Sequence, residues 1–419
     1  MDRDASNMSV NVEKLLCAID IGTSKVVALI AENNMHDEPN IIGIGTQPSK
    51  GLKKGNIVNI EATVRAIQMA VQEAEEMAGC QIEQACISIS GEHIKSFDSH
   101  GVVAIEKSEV SQEDLTHVIE SAKAVPMPAD QEILHILNQD FIIDHHGGIK
   151  EPVGMAGVRL EAKVHMVTAS SGAVQNTRKC VTRCGVNIED VVLQPLASSN
   201  AVLSDDEKEL GVCMIDIGAG TTDVAVFTDN AIRLTDVIPV GGSQVTVDLA
   251  HALRISRDIA ERVKVRYGGV LSNSVKSDDT IEIPGVSEHL SRQIQLKMLI
   301  GVIEARMEEL LNMVYQKLQT HDLLDKISAG IVLTGGGAKV KGMTRLAEDI
   351  FKIPVRIGAP SGVTGIQDVL HNPIHATGVG LLEHCRDRLE DEMTIAFKNG
   401  RKSQHGLLGK MKSWLGKHF

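Results

Sequence analysis

Regular patterning begins at Leu15–Ile30, LLCAIDIGTSKVVALI, where two short apolar runs flank a Gly-Thr-Ser turn and predict a β-hairpin. From Glu61 to Ala78, the residues Val64, Ile67, Val71, Ala74 and Ala78 recur at helical spacing, and Gly79 stands where a helix stops. Ala85–Ser90 returns to strand character. From Gly91 to about Ala162 the texture changes. Alternating runs at Gly101–Ile105, Ile133–Ile136 and Phe141–Ile143 surround one helix, which Ser111 and Asp114 begin in a capping pattern. Turns rich in Gly and Pro break up this stretch, which predicts a small α/β insertion. The main pattern resumes with strand Val164–Ala169, helix Gly172–Cys184, strand Ile188–Leu193 and the small-residue helix Leu196–Leu203. After an acidic turn at Asp205–Glu209, Gly211–Phe227 again reads strand, turn, strand. Helices follow at Val245–Leu253, Ser256–Tyr267 and Leu290–Leu318, then a strand, Ile331–Leu333, ending in Gly335, Gly336 and Gly337. Arg386–Gly406 is polar and reads as a linker, and Leu407–Phe419 stands apart as a final segment.

Two of these hairpins share a motif. Ile19-Asp20-Ile21-Gly22-Thr23-Ser24 recurs as Ile215-Asp216-Ile217-Gly218-Ala219-Gly220-Thr221-Thr222. One copy is an ordinary Gly turn; two copies, one in each half, predict two related domains that each lend a hairpin to a shared cleft. Glycines let backbone N–H groups approach phosphate oxygens, and the Thr and Ser hydroxyls add donors. Carboxylates so near phosphates make sense holding Mg²⁺ through its waters, so Asp20 and Asp216 are the candidate metal groups. Lys25 offers a phosphate a point charge.

Further pieces complete a nucleotide-binding set. Gly335, Gly336 and Gly337 follow a buried strand, where a flat ring can lie against backbone beneath the stem of Lys339. On its own such a triplet is a plain loop; its value comes from lying downstream of both hairpins. Gly241 and Gly242 end strand Val237–Val240 and precede a helix, a ready phosphate or ribose contact. Glu261 and Lys264 share a helix face, in reach of ribose or base or simply as a solvated pair. Gln194 stands before Pro195 at a strand end.

Composition narrows the setting. The chain has 419 residues, enough for more than one domain, and only 2% aromatics, so aliphatic residues fill its cores. No apolar run is long enough to span a bilayer, and the polar start at Met1–Asn11 lacks the form of a secretory signal. Seven scattered cysteines without framework spacing fit a reducing compartment, the cytoplasm; Cys180 and Cys184, four apart, read as small helical residues rather than a metal pair. The net charge of −13 argues against general nucleic-acid binding. From Met393 onward there are six Lys or Arg and no acid, so the remainder carries −19 (−13 minus 6). On a helical wheel Leu407, Leu408, Met411, Trp414, Leu415 and Phe419 share one face, flanked by Lys410, Lys417 and Lys412. That stripe predicts a helix lying in an anionic membrane surface; packing against the protein body is the plainer alternative.

Taken together, these residues resemble the actin superfamily over roughly Leu15–Leu382, where paired Asp-Gly hairpins bind phosphates and a Gly-Gly loop with a Glu-x-x-Lys helix binds adenosine. Within it the chain is most similar to the FtsA family of bacterial cell-division proteins, on Gly43–Asn59, Pro152–His165, Leu196–Leu203, Val355–Pro360 and the amphipathic end. The resemblance implies an actin-like α/β fold: two RNase H-like domains around a nucleotide cleft, with a hinge at Ala197–Ala201 and Ala376–Gly380. The first domain spans 14–85 and 166–205 with part of 374–390, the inserted subdomain 86–165, and the second domain 206–373 with an outer part at about 235–317. The linker is 386–406 and the membrane helix 407–419. It further implies ATP or ADP with Mg²⁺ as ligands, at most slow hydrolysis, and a place on the cytoplasmic face of the inner membrane at the septum. At the position of Gln194 the family's ATPases carry a Glu or Gln that orients the attacking water, and Gln194 reads equally as that group and as a strand-end residue. The implied partners are the C-terminal tail of the tubulin-like protein FtsZ, further copies of the chain in a polymer, the anionic membrane, and later division proteins through the insert. Sugar kinases share a two-hairpin cleft, but no separate substrate motif stands here. A pilus-assembly relative is the closer rival, and the amphipathic tail weighs against it.

Overall fold

The computed structural model describes residues 15–33, 38–284 and 291–398; the expected membrane helix at 407–419 lies outside the described residues. Two sheets of matching order form its frame. In the first, the strands run Asn187–Leu193, Gln84–Ile89, Leu15–Ile21, Lys25–Glu32, Asn40–Pro48, with Thr364–Gly365 at the edge. In the second they run Val355–Ile357, Gly330–Thr334, Val212–Ile217, Thr222–Thr228, Ala231–Ile238. In both, the chain's first three strands make an antiparallel meander. The leading strand of each hairpin then pairs in parallel with the fourth strand, and the fourth with the fifth. The hairpin strands are nearly all apolar because helices cover both faces of each sheet. Helix Ile60–Ala78 lies on the first sheet, capped by the Asn59 side chain and stopped by Gly79 in the left-handed region (φ 68°).

The two domains differ in what they insert. In the first, a four-stranded antiparallel sheet, ordered Lys95–Ala104, Arg159–Ser170, Gln131–Ile143, His146–Ile149, follows the fourth strand. One helix, Gln112–Lys123, packs on it, opened by a full capping box between Ser111 and Asp114. The two short strands read at Ile133–Ile136 and Phe141–Ile143 are one, interrupted in sequence by Asn138, Gln139 and Asp140. Gln139 meets the second domain, donating to the carbonyl of Ile232 (3.0 Å), and also reaches Asp98 of the insert (3.2 Å), while Asp140 accepts the N–H of Gly148 within the insert (2.8 Å). Beside it the buried His165 joins Asp98 (2.7 Å) and Thr235 (2.9 Å), so the insert is latched to the second sheet's edge strand. The second domain places helices Gly242–Leu253, Arg257–Tyr267 and Leu296–Thr320 outside its sheet. The long helix starts later than its apolar pattern suggests, because Ser291–Gln295 pairs as a strand with Thr280–Pro284.

Two helices join the halves. Gln194–Val202 packs on the second hairpin, Ala376–Lys398 packs on the first, and the two pack on each other between the sheets. A methyl group added at Gly380 would lie 1.7 Å from the carbonyl oxygen of Ala197, so these helices touch backbone to backbone. Two expected boundaries move. The stretch 386–398 is not linker: the hinge helix runs through it to Lys398, because Leu382, Cys385 and Leu389 continue a buried stripe beneath the charged residues. The second domain also ends sooner than 373, since Thr364–Gly365 already pairs with Asn40 and Ile41 of the first sheet. Among the described residues no helix is long and apolar enough to cross a membrane.

Two glycines separate close approach from mere flexibility. Gly380→Val costs about 3 kcal/mol by overpacking the hinge, read as a lower urea midpoint. Gly301, mid-helix in Leu296–Thr320 with no neighbour near its missing methyl, gains roughly 0.5–1 kcal/mol on change to Ala.

Candidate functional site

The two hairpin turns are built alike. In the first the N–H of Gly22 donates to the carbonyl of Lys25 (3.0 Å); in the second the N–H of Gly218 donates to that of Thr221 (3.0 Å). They face each other across the cleft so closely that a methyl group on Gly220 would strike Thr23. Thr23 in turn accepts the N–H of Gly55 at 3.0 Å. Below the turns lies a cavity of about 770 Å³, within the range of small-ligand pockets.

The cavity gathers almost every residue expected from sequence. Asp20, Gly22, Thr23, Ser24 and Lys25 line it from one side, and Asp216, Gly218, Gly220 and Thr221 from the other. Gly242, Glu261 and Lys264 come from the outer helices; Gly335, Gly336, Gly337 and Lys339 follow the parallel strand Gly330–Thr334. Gln194 lines it from the first turn of the hinge helix. Gly241 is the exception. It lies behind the second turn, where a methyl group would sit 2.6 Å from the carbonyl of Gly218, so it packs the turn and does not line the cavity. The N–H groups of Gly242 and Ser243 hold that turn by donating to Gly218 (2.9 Å) and Ala219 (2.8 Å).

The glycine triplet divides its work. Gly335, at φ 78°, leaves no room for a methyl group beside the Asp216 carboxylate, and Gly337 none beside Ile217. Only Gly336 has free space at its missing methyl, with Ile374 at 3.8 Å. Lys339 reaches Asn372 (3.1 Å), and Lys25 donates to the carbonyl of Ile374 (2.7 Å). Lys264 spans Glu261 (2.7 Å), Thr246 (2.8 Å) and the carbonyl of Gly242 (3.0 Å), which fixes the outer wall.

Carboxylates crowd the floor. Asp20 accepts from Ser88 (2.8 Å) and from the amide of Gln194 (3.1 Å). Asp216 accepts from Ser198 (2.6 Å) on one hinge helix and, more weakly, from Thr377 (3.4 Å) on the other. A third, Asp223, accepts from Thr221 (3.0 Å) and, across the cleft, from Ser90. Neither Asp223 nor Ser90 was expected, although an acid inside the run TDVAVF was a signal that something must satisfy it. Burial raises the pKa of all three. It pushes Asp216 up to about 6, with the Asp20 charge adding, and Asp223 up to about 7, with the Asp216 charge adding. Lys25 is the cation among them, and burial lowers its own pKa. Buried oxygens with this excess of negative charge fit a hard divalent cation such as Mg²⁺.

The insert also reaches the site. The N–H of Leu193 donates to Nε2 of His135 at 3.0 Å, one residue before Gln194.

The sign of the pH effect follows from these shifts. Folded Asp223 keeps its proton up to about pH 7, whereas an unfolded Asp loses it near ~4. Between those values the folded chain binds more protons, so stability falls as pH rises through 7. In EDTA without nucleotide, Asp223→Asn raises the thermal midpoint at pH 8 and leaves it unchanged at pH 4.

Comparison with known proteins agrees with this architecture. A family model described as cell division protein FtsA matches residues 213–380, and one described as the SHS2 domain inserted in FtsA matches 91–168. The cell division protein FtsA of Pseudomonas aeruginosa is 48% identical over 98% of this chain and 100% of its own length. That of Neisseria meningitidis is 45% identical over 97% and 99%, and that of Escherichia coli K12 41% identical over 97% and 98%. Among solved structures, the PilM–PilN type IV pilus biogenesis complex aligns with TM-score 0.64 at 16% identity, over 90% of this chain and 99% of that one. MreB5 of Spiroplasma citri bound to ADP aligns with TM-score 0.53 at 16% identity, over 93% and 99%. The structural likenesses show the actin-like fold alone. Identity above 40% along nearly the whole length shows more: the chain belongs to the FtsA family of cell-division proteins.

Proposed function

We propose that the cleft binds ATP or ADP with Mg²⁺ and that the nucleotide acts mainly as a conformational ligand. The cavity between the two Asp-Gly hairpins carries this reading. Turn N–H groups and the hydroxyls of Thr23, Ser24 and Thr221 face the phosphates, and Asp20 and Asp216 hold the cation through its waters. Gly336 and Lys339 bound the base, and Glu261 and Lys264 the ribose side. Gln194, hydrogen-bonded to Asp20, is the group we assign to orienting a water in slow hydrolysis.

The division role follows from coupling this cleft to a membrane. The chain polymerises on the cytoplasmic face of the inner membrane, and the helix 407–419 anchors it there. It tethers the FtsZ ring through the outer part of the second domain, and the insert recruits later division proteins. Each tail lysine near anionic lipid contributes about 1 kcal/mol, so a single copy binds weakly and reversibly. Joining copies in a polymer multiplies that affinity by roughly 10²–10⁴. Membrane binding is therefore set by assembly, and assembly by nucleotide.

Co-sedimentation with anionic liposomes tests this coupling. The full chain pellets more with Mg-ATP than without, and a chain truncated at Gly406 stays in solution in both conditions. Equal pelleting of the truncated chain means the tail is not the anchor; full pelleting without nucleotide means assembly does not govern it.

A further inference from the structure

A second cluster of chemically active side chains lies away from the cleft, where the hinge helix Ala376–Lys398 crosses the first sheet. Cys86, on strand Gln84–Ile89, and Cys385, on the helix, are both buried and bring their sulfurs together. Glu189, on the neighbouring strand Asn187–Leu193, brings a carboxylate to the same point. The two sulfurs and a carboxylate oxygen all lie within 4.8 Å of one another. We infer that Cys86, Cys385 and Glu189 form a binding site for a thiophilic divalent cation of the Zn²⁺ type, pinning the hinge helix to the first domain.

Three features distinguish this cluster from cysteines that merely fill a core. First, the donors converge from three separate elements, and cysteine sulfur and carboxylate oxygen are both zinc ligands. Cys180, on the helix Ser171–Thr182, and Cys184, just beyond its end, show the contrast: among the described residues they belong to no such group of three ligands. Second, the surroundings are arranged to orient ligands. Arg388 donates to the backbone carbonyl of Glu189 (2.8 Å) and lies 3.4 Å from Asp190, and Asp190 holds His384, next to Cys385, at 3.1 Å. Such outer contacts are a general property of metal centres. Third, Glu189 is only half-buried, so one of the three ligands comes from a residue that reaches solvent.

The chemistry balances without a redox partner. Without metal the Cys385 proton points to the carbonyl of Cys17 over 3.6 Å, a weak bond. Cys86, fully buried beside it, is likewise a thiol in the unliganded chain. Cation binding releases both thiol protons to solvent and exchanges waters of the hydrated cation for two metal–sulfur bonds and one metal–oxygen bond. The net charge of the three ligands and the cation is then −1, beside the Arg388 guanidinium. Since the helix so held is the one that bears Thr377 against Asp216, the cation restrains one side of the hinge without touching the cleft.

The test uses the full-length chain, kept reduced and freed of metal by a chelator, then titrated with Co²⁺ and Zn²⁺. Thiolate-to-cobalt charge-transfer absorption reports sulfur ligation alone, which separates this site from the chain's many histidines. The inference predicts one equivalent of cobalt with that absorption, displaced by zinc, and a rise of the thermal midpoint with Zn²⁺. The absorption and the rise are lost in Cys86→Ala/Cys385→Ala and retained in Cys180→Ala/Cys184→Ala. Glu189→Gln, which leaves both thiols in place, weakens cobalt binding by about tenfold or more. Thiolate absorption undiminished in the Cys86/Cys385 variant, or none in the folded wild type, overturns the site. So does a Cys86–Cys385 disulfide as the stable form of the freshly isolated chain.

Discussion

The carboxylate of Asp216 is where the structure's parts meet. It sits in the second hairpin, accepts from Ser198 on one hinge helix and Thr377 on the other, and presses against Gly335 with no room for a methyl group between. Burial raises its pKa to about 6, so the fold maintains this group at an energetic cost that ligands can offset. A cation held at Asp216, as proposed above, would change the charge that Ser198 and Thr377 answer to, and through them would act on both helices that join the domains. No long pathway is needed, because the ligand group and the hinge share one hydrogen-bonded residue.

The same economy extends to the rest of the molecule. Asp20 repeats the arrangement in the first hairpin with Ser88 and Gln194. Ser90 and Asp223 close the cleft floor from opposite domains. The insert touches the frame at two places. The His165 latch meets the second sheet's edge, and the His135 bond to Leu193 stands one residue from Gln194. A partner that displaced the insert would thus act on both the domain angle and the cleft.

Much of this was legible in the sequence because the deciding residues repeat or punctuate. The motif IDIG in both halves gave the paired hairpins, Ser111 and Asp114 gave the insert's helix, and Gly79 ended the first long helix. What escaped obeys tertiary rather than local rules. Asn138-Gln139-Asp140 look like a break, yet continue a strand in which Gln139 finds a partner in the second domain and Asp140 one in the insert's neighbouring strand. The charged stretch after Arg386 looks like a linker, yet is helix because Cys385 and Leu389 continue a buried stripe. Gly241 belongs to the Gly-Gly pair by sequence, but the turn's packing takes it out of the cavity. Asp223 was hidden by its apolar neighbours; only the folded cleft shows Ser90 opposite it.

Calorimetric titration with ADP, in the presence and absence of Mg²⁺, on the wild type and on Asp216→Asn tests the central claim most directly. Wild type should bind one ADP per chain, markedly tighter with Mg²⁺, and Asp216→Asn should lose that metal dependence while still binding the nucleotide. An unchanged Mg²⁺ dependence in Asp216→Asn, or no ADP binding by the wild type, would contradict the cleft described above.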